Sequence, residues 1–392
     1  MLVTLAVENY RSLRRLIVPL RRLNVVTGAN GSGKSSLYRA LRLLAESSRN
    51  GAVAALAREG GLPSTLWAGP EVIGKAVRAG RHPVQGTVRT KPVSLRLGFA
   101  SDSFGYAIDL GMPQDGQSAF ALDPEIKAEC TWSGPVLRPG TRLTERTNAA
   151  VGVRGKDGAW RAVPGLRLRP YDSMLAEFAD PELAPDLVLL RERIRSWRFY
   201  DHVRTDADAP MRRARIGTRT PVLGHDGGDL AAALETIREI GDAEALDTAV
   251  DLAFPGSRLA IAVTGGRFEV TLRQPGMLRA LGAAELSDGT LRYLTWVAAL
   301  LTPRPPELLV LNEPENSLHP DLVRPLAALI AGAASRMQIV VVTHSRALQS
   351  ALDAHGDGDA DLQMIELAKD HGETYVVGQE KLDEPAWHWP KR

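Results

Sequence analysis

Apolar and polar residues alternate over residues 3–8, 16–20 and 23–27, each stretch rich in β-branched side chains, and this period of two predicts three successive strands. The period then changes. From residue 34 to about residue 48, Leu37, Ala40, Leu41, Leu44 and Ala45 recur at helical spacing, so a strand, a short loop and a helix follow one another. Near the other end, Leu291, Leu294, Val297, Ala298 and Leu301 mark a helix over residues 287–301, stopped by Pro303, Pro305 and Pro306. The short apolar run 308–311 and the stretch 338–343, separated by a helix over 320–334, predict buried strands of a parallel sheet covered by helices on both faces. The two ends therefore read as one α/β domain.

The middle is less regular. Between residues 51 and 225 glycine and proline are dense, with strands predicted at 93–99, 106–110 and 126–132 and a helix near 187–197. Residues 229–240 and 244–254 read as two short helices separated at Gly241, and residues 258–272 as a strand pair turning at Gly265 and Gly266. No heptad pattern persists, and Pro181 and Pro185 interrupt the best stretch, so no long coiled-coil arm is expected. No internal repeat or low-complexity tract stands out. The expected organisation is a head of residues 1–50 and 255–392, split in sequence, around an insertion or arm of residues 51–254 built from mixed strands and short helices.

Composition narrows the class. The chain has 392 residues, 44% hydrophobic and 24% charged, the balance of a soluble globular protein. Its apolar runs are a few residues long, far short of the roughly 20 that cross a bilayer, so no membrane contact is expected. Residues 1–10 alternate and soon meet charge, unlike a signal peptide, which points to a cytoplasmic protein. A lone cysteine, Cys130, makes no internal disulfide or multi-cysteine zinc site and reads as structural in a reducing compartment. The net charge of +2 says little about partners. Its distribution says more: Arg191, Arg193, Arg195, Arg198, Arg204, Arg212, Arg213, Arg215 and Arg219 are opposed only by Glu192, Asp201, Asp206 and Asp208. Such a segment is either a salt-bridged solvated face or a surface that neutralises DNA phosphates.

Four motifs carry chemistry. The loop Gly28, Ala29, Asn30, Gly31, Ser32, Gly33, Lys34, Ser35 matches the phosphate-binding pattern and lies between a strand and a helix, as that pattern requires. Its glycines let backbone N–H groups turn onto phosphate oxygens, the helix start adds positive potential, Lys34 reaches the β- and γ-phosphates, and Ser35 ligates Mg²⁺. The strand 308–311 delivers Asn312 and Glu313 to the sheet's carboxyl edge in the manner of a Walker B strand, with Glu313 placed to polarise the attacking water. An aspartate would normally stand at position 312; asparagine accepts hydrogen bonds without charge, which predicts weaker Mg²⁺ binding or slower turnover. Leu286, Ser287, Asp288, Gly289 and Thr290 open a helix, where Ser287 is either a simple N-cap or part of a second anion site. The fourth element is His344, at the end of the strand 338–343.

In this order the four pieces resemble the ABC ATPase superfamily. Residues 7–13 and 312–320, together with Thr343, His344 and Ser345, look like its RecF, SMC and OLD-type branch. The resemblance implies an α/β fold, a P-loop NTPase of ABC-head type with a mixed sheet flanked by helices and a large α+β insertion between the Walker A loop and the signature motif. It implies ATP and Mg²⁺ as ligands and a homodimer closed by ATP, in which Ser287 and Gly289 meet the partner's γ-phosphate. It gives Glu313 the role of catalytic base and His344 that of switch histidine, adds Ser36 to the nucleotide-binding loop, and brings Arg11 to the nucleotide from the first hairpin. No Q-loop glutamine can be placed, Gln85, Gln114 and Gln117 being unsupported candidates.

Two functions compete. One is an ATP-hydrolysing switch acting on DNA in repair, recombination or anti-phage defence, with residues 191–219 as the contact surface. The other is an assembly or regulatory switch that hydrolyses little and controls a separate effector protein. A transporter motor fits poorly, because of the large irregular insertion. No built-in nuclease is expected: the acidic stretch 353–361, with Asp357 and Asp359, reads as a solvated loop, and His225, Asp226 and Asp229 read as a glycine-rich turn ending in a helix cap.

Overall fold

The computed structural model describes every residue except 50, 71–91, 114–118, 179, 202 and 357–360, so Gln85, Gln114, Gln117, Asp357 and Asp359 lie outside the described residues. The chain divides into two compact units, one of Met1–Arg21, Val26–Trp197 and Ile365–Arg392, the other of Arg22–Val25 and Arg198–Met364.

In the first unit, β1 (Leu2–Tyr10) pairs antiparallel with β2 (Leu13–Pro19), Thr4 opposite Pro19 and Tyr10 opposite Leu13. The strand expected at 16–20 thus starts three residues earlier, because the turn closes tightly at Asn9 and Arg11, both at positive φ. β3 (Leu23–Gly28) crosses from the second unit into the first and runs into α1 (Lys34–Ser47), whose buried residues include Leu37, Leu41 and Leu44. Six further strands, β4 (Leu95–Ser101), β5 (Phe104–Gly111), β6 (Glu125–Ser133), β7 (Arg142–Thr147), β8 (Ala150–Arg154) and β9 (Trp160–Arg167), continue the sheet in the order β2-β1-β4-β5-β6-β7-β8-β9. The middle of the sequence therefore extends the first hairpin, with Val7 opposite Leu97. One face of the sheet packs on α1, which touches β1 and β4. Near its centre Trp132 meets Trp387 of the carboxyl-terminal segment edge-on, ring centroids 5.5 Å apart, and Trp387 meets Trp389 at 5.2 Å. Gly98 makes the room: a Cβ there would lie 2.5 Å from the Trp387 ring. A fully buried ion pair, Glu129 with Arg146, ties β6 to β7, and its charges are satisfied by Tyr106, Ser173 and the carbonyls of Asn148, Arg169 and Asp172. Helix α2 (Pro185–Ser196) starts on its proline, as first-turn prolines allow.

The second unit holds the parallel strands. β10 (Arg198–Tyr200) is followed by β11 (Arg215–Ile216), the helices α3 (Leu230–Ile240) and α4 (Ala243–Ala253), and a small antiparallel sheet of β11, β12 (Arg258–Thr264), β13 (Arg267–Arg273) and β14 (Leu281–Gly282). β12 turns into β13 at Gly265 and Gly266, both at positive φ. Then come α5 (Asp288–Leu300), β15 (Leu308–Asn312), α6 (Val323–Ala334), β16 (Gln338–Val342) and α7 (Arg346–Gly356). β15 lies between β10 and β16, all parallel, with Leu308 opposite Gln338. The Ile339 amide donates to the carbonyl of Arg22, where β3 begins. Leu309, Leu311, Ile339 and Val341 join Leu291, Leu294, Leu326 and Ile330 in one buried cluster, and Leu308, Val310, Val340 and Val342 on the opposite face are buried as well, which is why the two strands lack alternation. The helix expected from residue 320 begins as a 3-10 turn, Pro320–Leu322, before α6. β17 (Leu362–Asp370) runs back into the first unit and closes a hairpin with β18 (Glu373–Val376). Among the described residues no helix is long and apolar enough to cross a membrane.

Candidate functional site

The phosphate loop lies in the first unit. Gly28 ends β3 at φ 139°, and a Cβ there would sit 2.2 Å from the Leu367 carbonyl oxygen; at Gly33, φ 112°, it would sit 2.5 Å from Thr374 Oγ1. Glycine is thus required sterically at both ends of the loop. α1 starts at Gly33 with no side chain capping its amides. An uncapped helix start beside glycines is an anion site. Lys34 is folded back over the loop, Nζ donating to the carbonyl oxygens of Gly28 (2.7 Å) and Ala29 (3.1 Å). Ser32 Oγ is buried without a hydrogen-bond partner, whereas Ala29, Asn30, Gly31 and Ser35 are exposed and Ser36 is half-buried.

Two further residues carry no motif in the sequence, Thr374 against the loop and Glu59 against Arg11. Thr374, buried in β18, places Oγ1 2.8 Å from both the Ser32 carbonyl oxygen and Ser12 Oγ, and its amide donates to the Ser12 carbonyl (2.9 Å). Glu59 accepts from Arg11 Nη2 (2.6 Å) and from the Tyr10 hydroxyl (2.7 Å). Arg11, expected at the nucleotide, is engaged by that carboxylate and lies over the Tyr10 ring. Burial, then the Glu59 carboxylate, pushes the Tyr10 phenol well up.

The other motifs lie in the second unit. β15 ends at a half-buried Asn312, and Glu313 follows at φ 50°, its amide donating to the Val342 carbonyl (2.7 Å). Glu313 Oε2 accepts from Asn316 Nδ2 (2.7 Å), while Oε1 lies 3.4 Å from His344 Nδ1. Parallel pairing of β15 with β16 makes this meeting possible, because it brings both strand ends to one edge. The imidazole is 51% exposed, so its outer edge is open to a ligand. Glu315 is buried beneath it: Oε1 accepts from Thr343 Oγ1 and the Ser345 amide. Signature and Walker B segments are joined by Trp296 of α5, whose Nε1 donates to the Pro314 carbonyl (2.8 Å).

Ser287 caps α5, accepting from the Thr290 amide (3.1 Å), so the simple capping role is realised. Gly289 lies against the segment after Walker B, where a Cβ would be 3.0 Å from the Ser317 carbonyl oxygen. Residues 287–290 and 317–322 line one open groove.

The arginine-rich segment is largely paired. Arg191 and Arg195 meet Glu192, Arg204 meets Asp206, Arg213 meets Asp208 and Arg219 meets Glu239. Arg193 bonds Ser103 Oγ and covers the Phe104 ring. Arg212 turns inward to the signature loop. His225 Nδ1 lies 3.2 Å from the Phe199 carbonyl oxygen. Asp229 caps no helix amide, contrary to expectation: the chain turns at Gly224 so that the Asp229 carboxylate accepts from its amide (3.1 Å) instead. Among the described residues no group of three or more acidic, histidine or cysteine side chains could hold a metal ion. Cys130 is buried, and burial pushes its thiol up to about 12, as a structural cysteine requires.

Comparison with solved structures gives a fold. The chain is similar to an SMC head bound to the C-terminal winged-helix domain of ScpA, with 13% identity, a TM-score of 0.50, and coverage of 96% of this chain and 97% of that one. An SMC head domain from Thermotoga maritima aligns at 16% identity over 97% of this chain and 99% of that one, with a TM-score of 0.44. No curated protein sequence matches. The fold is that of a P-loop NTPase, a mixed α/β architecture of SMC-head type. A family model described as "AAA domain, putative AbiEii toxin, Type IV TA system" matches residues 23–350, spanning the phosphate loop, the signature segment, Glu313 and His344, and the chain belongs to that family.

Proposed function

We propose that the chain is an ATP-binding and ATP-hydrolysing switch that dimerises head to tail around nucleotide, with slow turnover. The observation that carries this reading is the phosphate loop: an uncapped helix start, a glycine cradle, and a lysine folded onto the loop's own carbonyls. A polyphosphate supplies acceptors to those uncapped amides and draws the ammonium from the Gly28 and Ala29 carbonyls onto its own oxygens. Ser35 and Asn312 would hold Mg²⁺, a neutral donor pair that fits the ion only weakly and leaves most of the coordination to phosphate and water. When bound, Mg²⁺ neutralises phosphate charge. Asn316 fixes one Glu313 oxygen, so Oε1 takes the proton of the attacking water while the neighbouring His344 contacts the γ-phosphate. Ser287 and Gly289 of a second copy complete the site.

Phosphate release, nucleotide binding and light scattering on three proteins test this. Lys34→Ala should lose ATP binding. Glu313→Gln should keep it, lose turnover by about 10²–10⁴-fold, and accumulate as an ATP-bound dimer. A wild-type chain that binds no ATP would sink the proposal, and unchanged turnover in Glu313→Gln would remove Glu313 as the base.

The neutral Asn312 favours a second reading, an assembly switch that barely hydrolyses ATP and controls a separate effector; Glu313→Gln would then leave an already minimal rate unaltered. In either case we assign nucleotide work to a head of residues 1–50 and 255–392, in the cytoplasm, and coupling to residues 51–254. Action on DNA, in repair, recombination or anti-phage defence, would use the exposed Arg213 and Arg215 rather than the inward Arg212. Such binding should weaken steeply with salt.

A further inference from the structure

Arg212 belongs by sequence to the basic segment, but by geometry it belongs to the signature loop. It closes a 3-10 turn, Pro210–Arg212, and its side chain is only 9% exposed. Nη1 donates to the carbonyl oxygens of Leu286 (2.7 Å), Ala283 (3.1 Å) and Ala284 (3.4 Å), and Nη2 forms an ion pair with Asp288. Nε donates to the carbonyl oxygens of Thr205 (2.8 Å) and Asp206 (3.1 Å). Three loop carbonyls and a carboxylate therefore converge on one cation at the start of α5.

That convergence needs its cation. The carbonyl dipoles at residues 283, 284 and 286 and the Asp288 charge repel one another at this separation, so without the guanidinium the loop would open to hydrate them. A planar fork with five donors spans all of these acceptors; a lysine ammonium, a point donor on a flexible stem, does not. Asp288 stands between Ser287 and Gly289, so the ion pair fixes the loop on one side while the Ser287 cap fixes it on the other.

We propose that Arg212 is a positioning residue for the nucleotide-closed dimer, holding Ser287 and Gly289 in the geometry that meets the partner's γ-phosphate. This rests on the reading of those two residues as the contact made in trans. It separates Arg212 from its basic neighbours: charge reversal there would damage the dimer contact whether or not DNA binds.

The test uses the full chain in the Glu313→Gln background, with ATP and Mg²⁺, measuring dimerisation by sedimentation and monomer nucleotide affinity with a fluorescent ATP analogue. Arg212→Ala should weaken ATP-dependent dimerisation about tenfold or more, the factor carried by one charge-assisted hydrogen bond, while monomer nucleotide affinity stays put. Arg212→Lys should restore little of it. Asp288→Asn, at an exposed carboxylate, should shift dimerisation the same way to a smaller degree. Dimerisation at the parental concentration in Arg212→Ala, or in Asp288→Asn should the first variant fail to fold, overturns the assignment. Parallel loss of nucleotide affinity in the monomer also overturns it, by making Arg212 a general structural residue. If Glu313→Gln itself never dimerises with ATP, the trans reading of Ser287 and Gly289 fails, and the role of Arg212 falls with it.

Discussion

Glu313 occupies a backbone region that L-residues rarely adopt, φ 50°, at a cost of about 1–3 kcal/mol. The hydrogen bond its amide donates to the Val342 carbonyl and the one its carboxylate accepts from Asn316 hold it there. Strain of this kind persists where the surroundings over-determine it, and here it aims one carboxylate oxygen at His344. Its neighbour Asn312 has the shape of an aspartate without the charge. If Asn312 faces Mg²⁺ as proposed, Asn312→Asp should raise metal affinity and turnover together, each by about tenfold, since affinity for hard cations rises with ligand charge. Isothermal titration with Mg²⁺ in the presence of ATP, beside phosphate release, measures both; if neither changes, position 312 does not limit the site. Asn312, Glu313 and His344 stand out in the sequence because each ends a buried strand or follows one within two residues. Glu315 does not: its burial comes from Thr343 and Ser345, about thirty residues away in the chain and adjacent only through the pairing of β15 with β16.

The phosphate loop shows how one element depends on another. Between β3 and α1 the glycine pattern dictates a turn whose amides point inward, yet the loop is also held from outside by Thr374 in β18. A single hydroxyl proton donated to the Ser32 carbonyl leaves Oγ1 free to accept from Ser12, so both buried contacts are satisfied at once. Thr374→Val keeps the shape and strands that carbonyl, a loss of about 1–3 kcal/mol. It should weaken ATP binding about tenfold, and Thr374→Ser should retain it, by equilibrium titration of a fluorescent nucleotide. Equal affinities in the valine and serine variants would show that the loop holds its form without β18. No sequence pattern identifies Thr374, because a threonine in a short strand is unremarkable until the fold brings it under residue 32.

Across the chain, the two compact units cut the sequence in a way its periodicity does not suggest, since β4 to β9 continue the hairpin that β1 and β2 begin. The carboxyl-terminal segment completes the first unit: Trp387 packs against Trp132 over Gly98, and Arg392 pairs with the buried Asp109. Trp387→Ala should lower stability by about 2 kcal/mol, the scale of a large side chain withdrawn from a partly buried site. Urea unfolding should show a lower midpoint at constant slope, and an unmoved midpoint would reduce the segment to a loose tail.

The sequence by itself determined the features that need only neighbours along the chain: the strand, glycine loop and helix around Lys34, the buried strand before Glu313, the helix behind Ser287. Each follows from backbone sterics or a short hydrophobic period, which a few adjacent residues specify. The order of the motifs already put the strand before His344 beside the one before Glu313, and the tertiary structure added the register that brings the two side chains together; it alone decided that Thr374 holds the phosphate loop and that Arg212 serves the signature loop. Those contacts join residues tens to hundreds of positions apart. The energy of a buried charge or hydroxyl depends on partners that local periodicity cannot encode, so a run of arginines reads alike in sequence whether it faces solvent, DNA or the protein's own carbonyls.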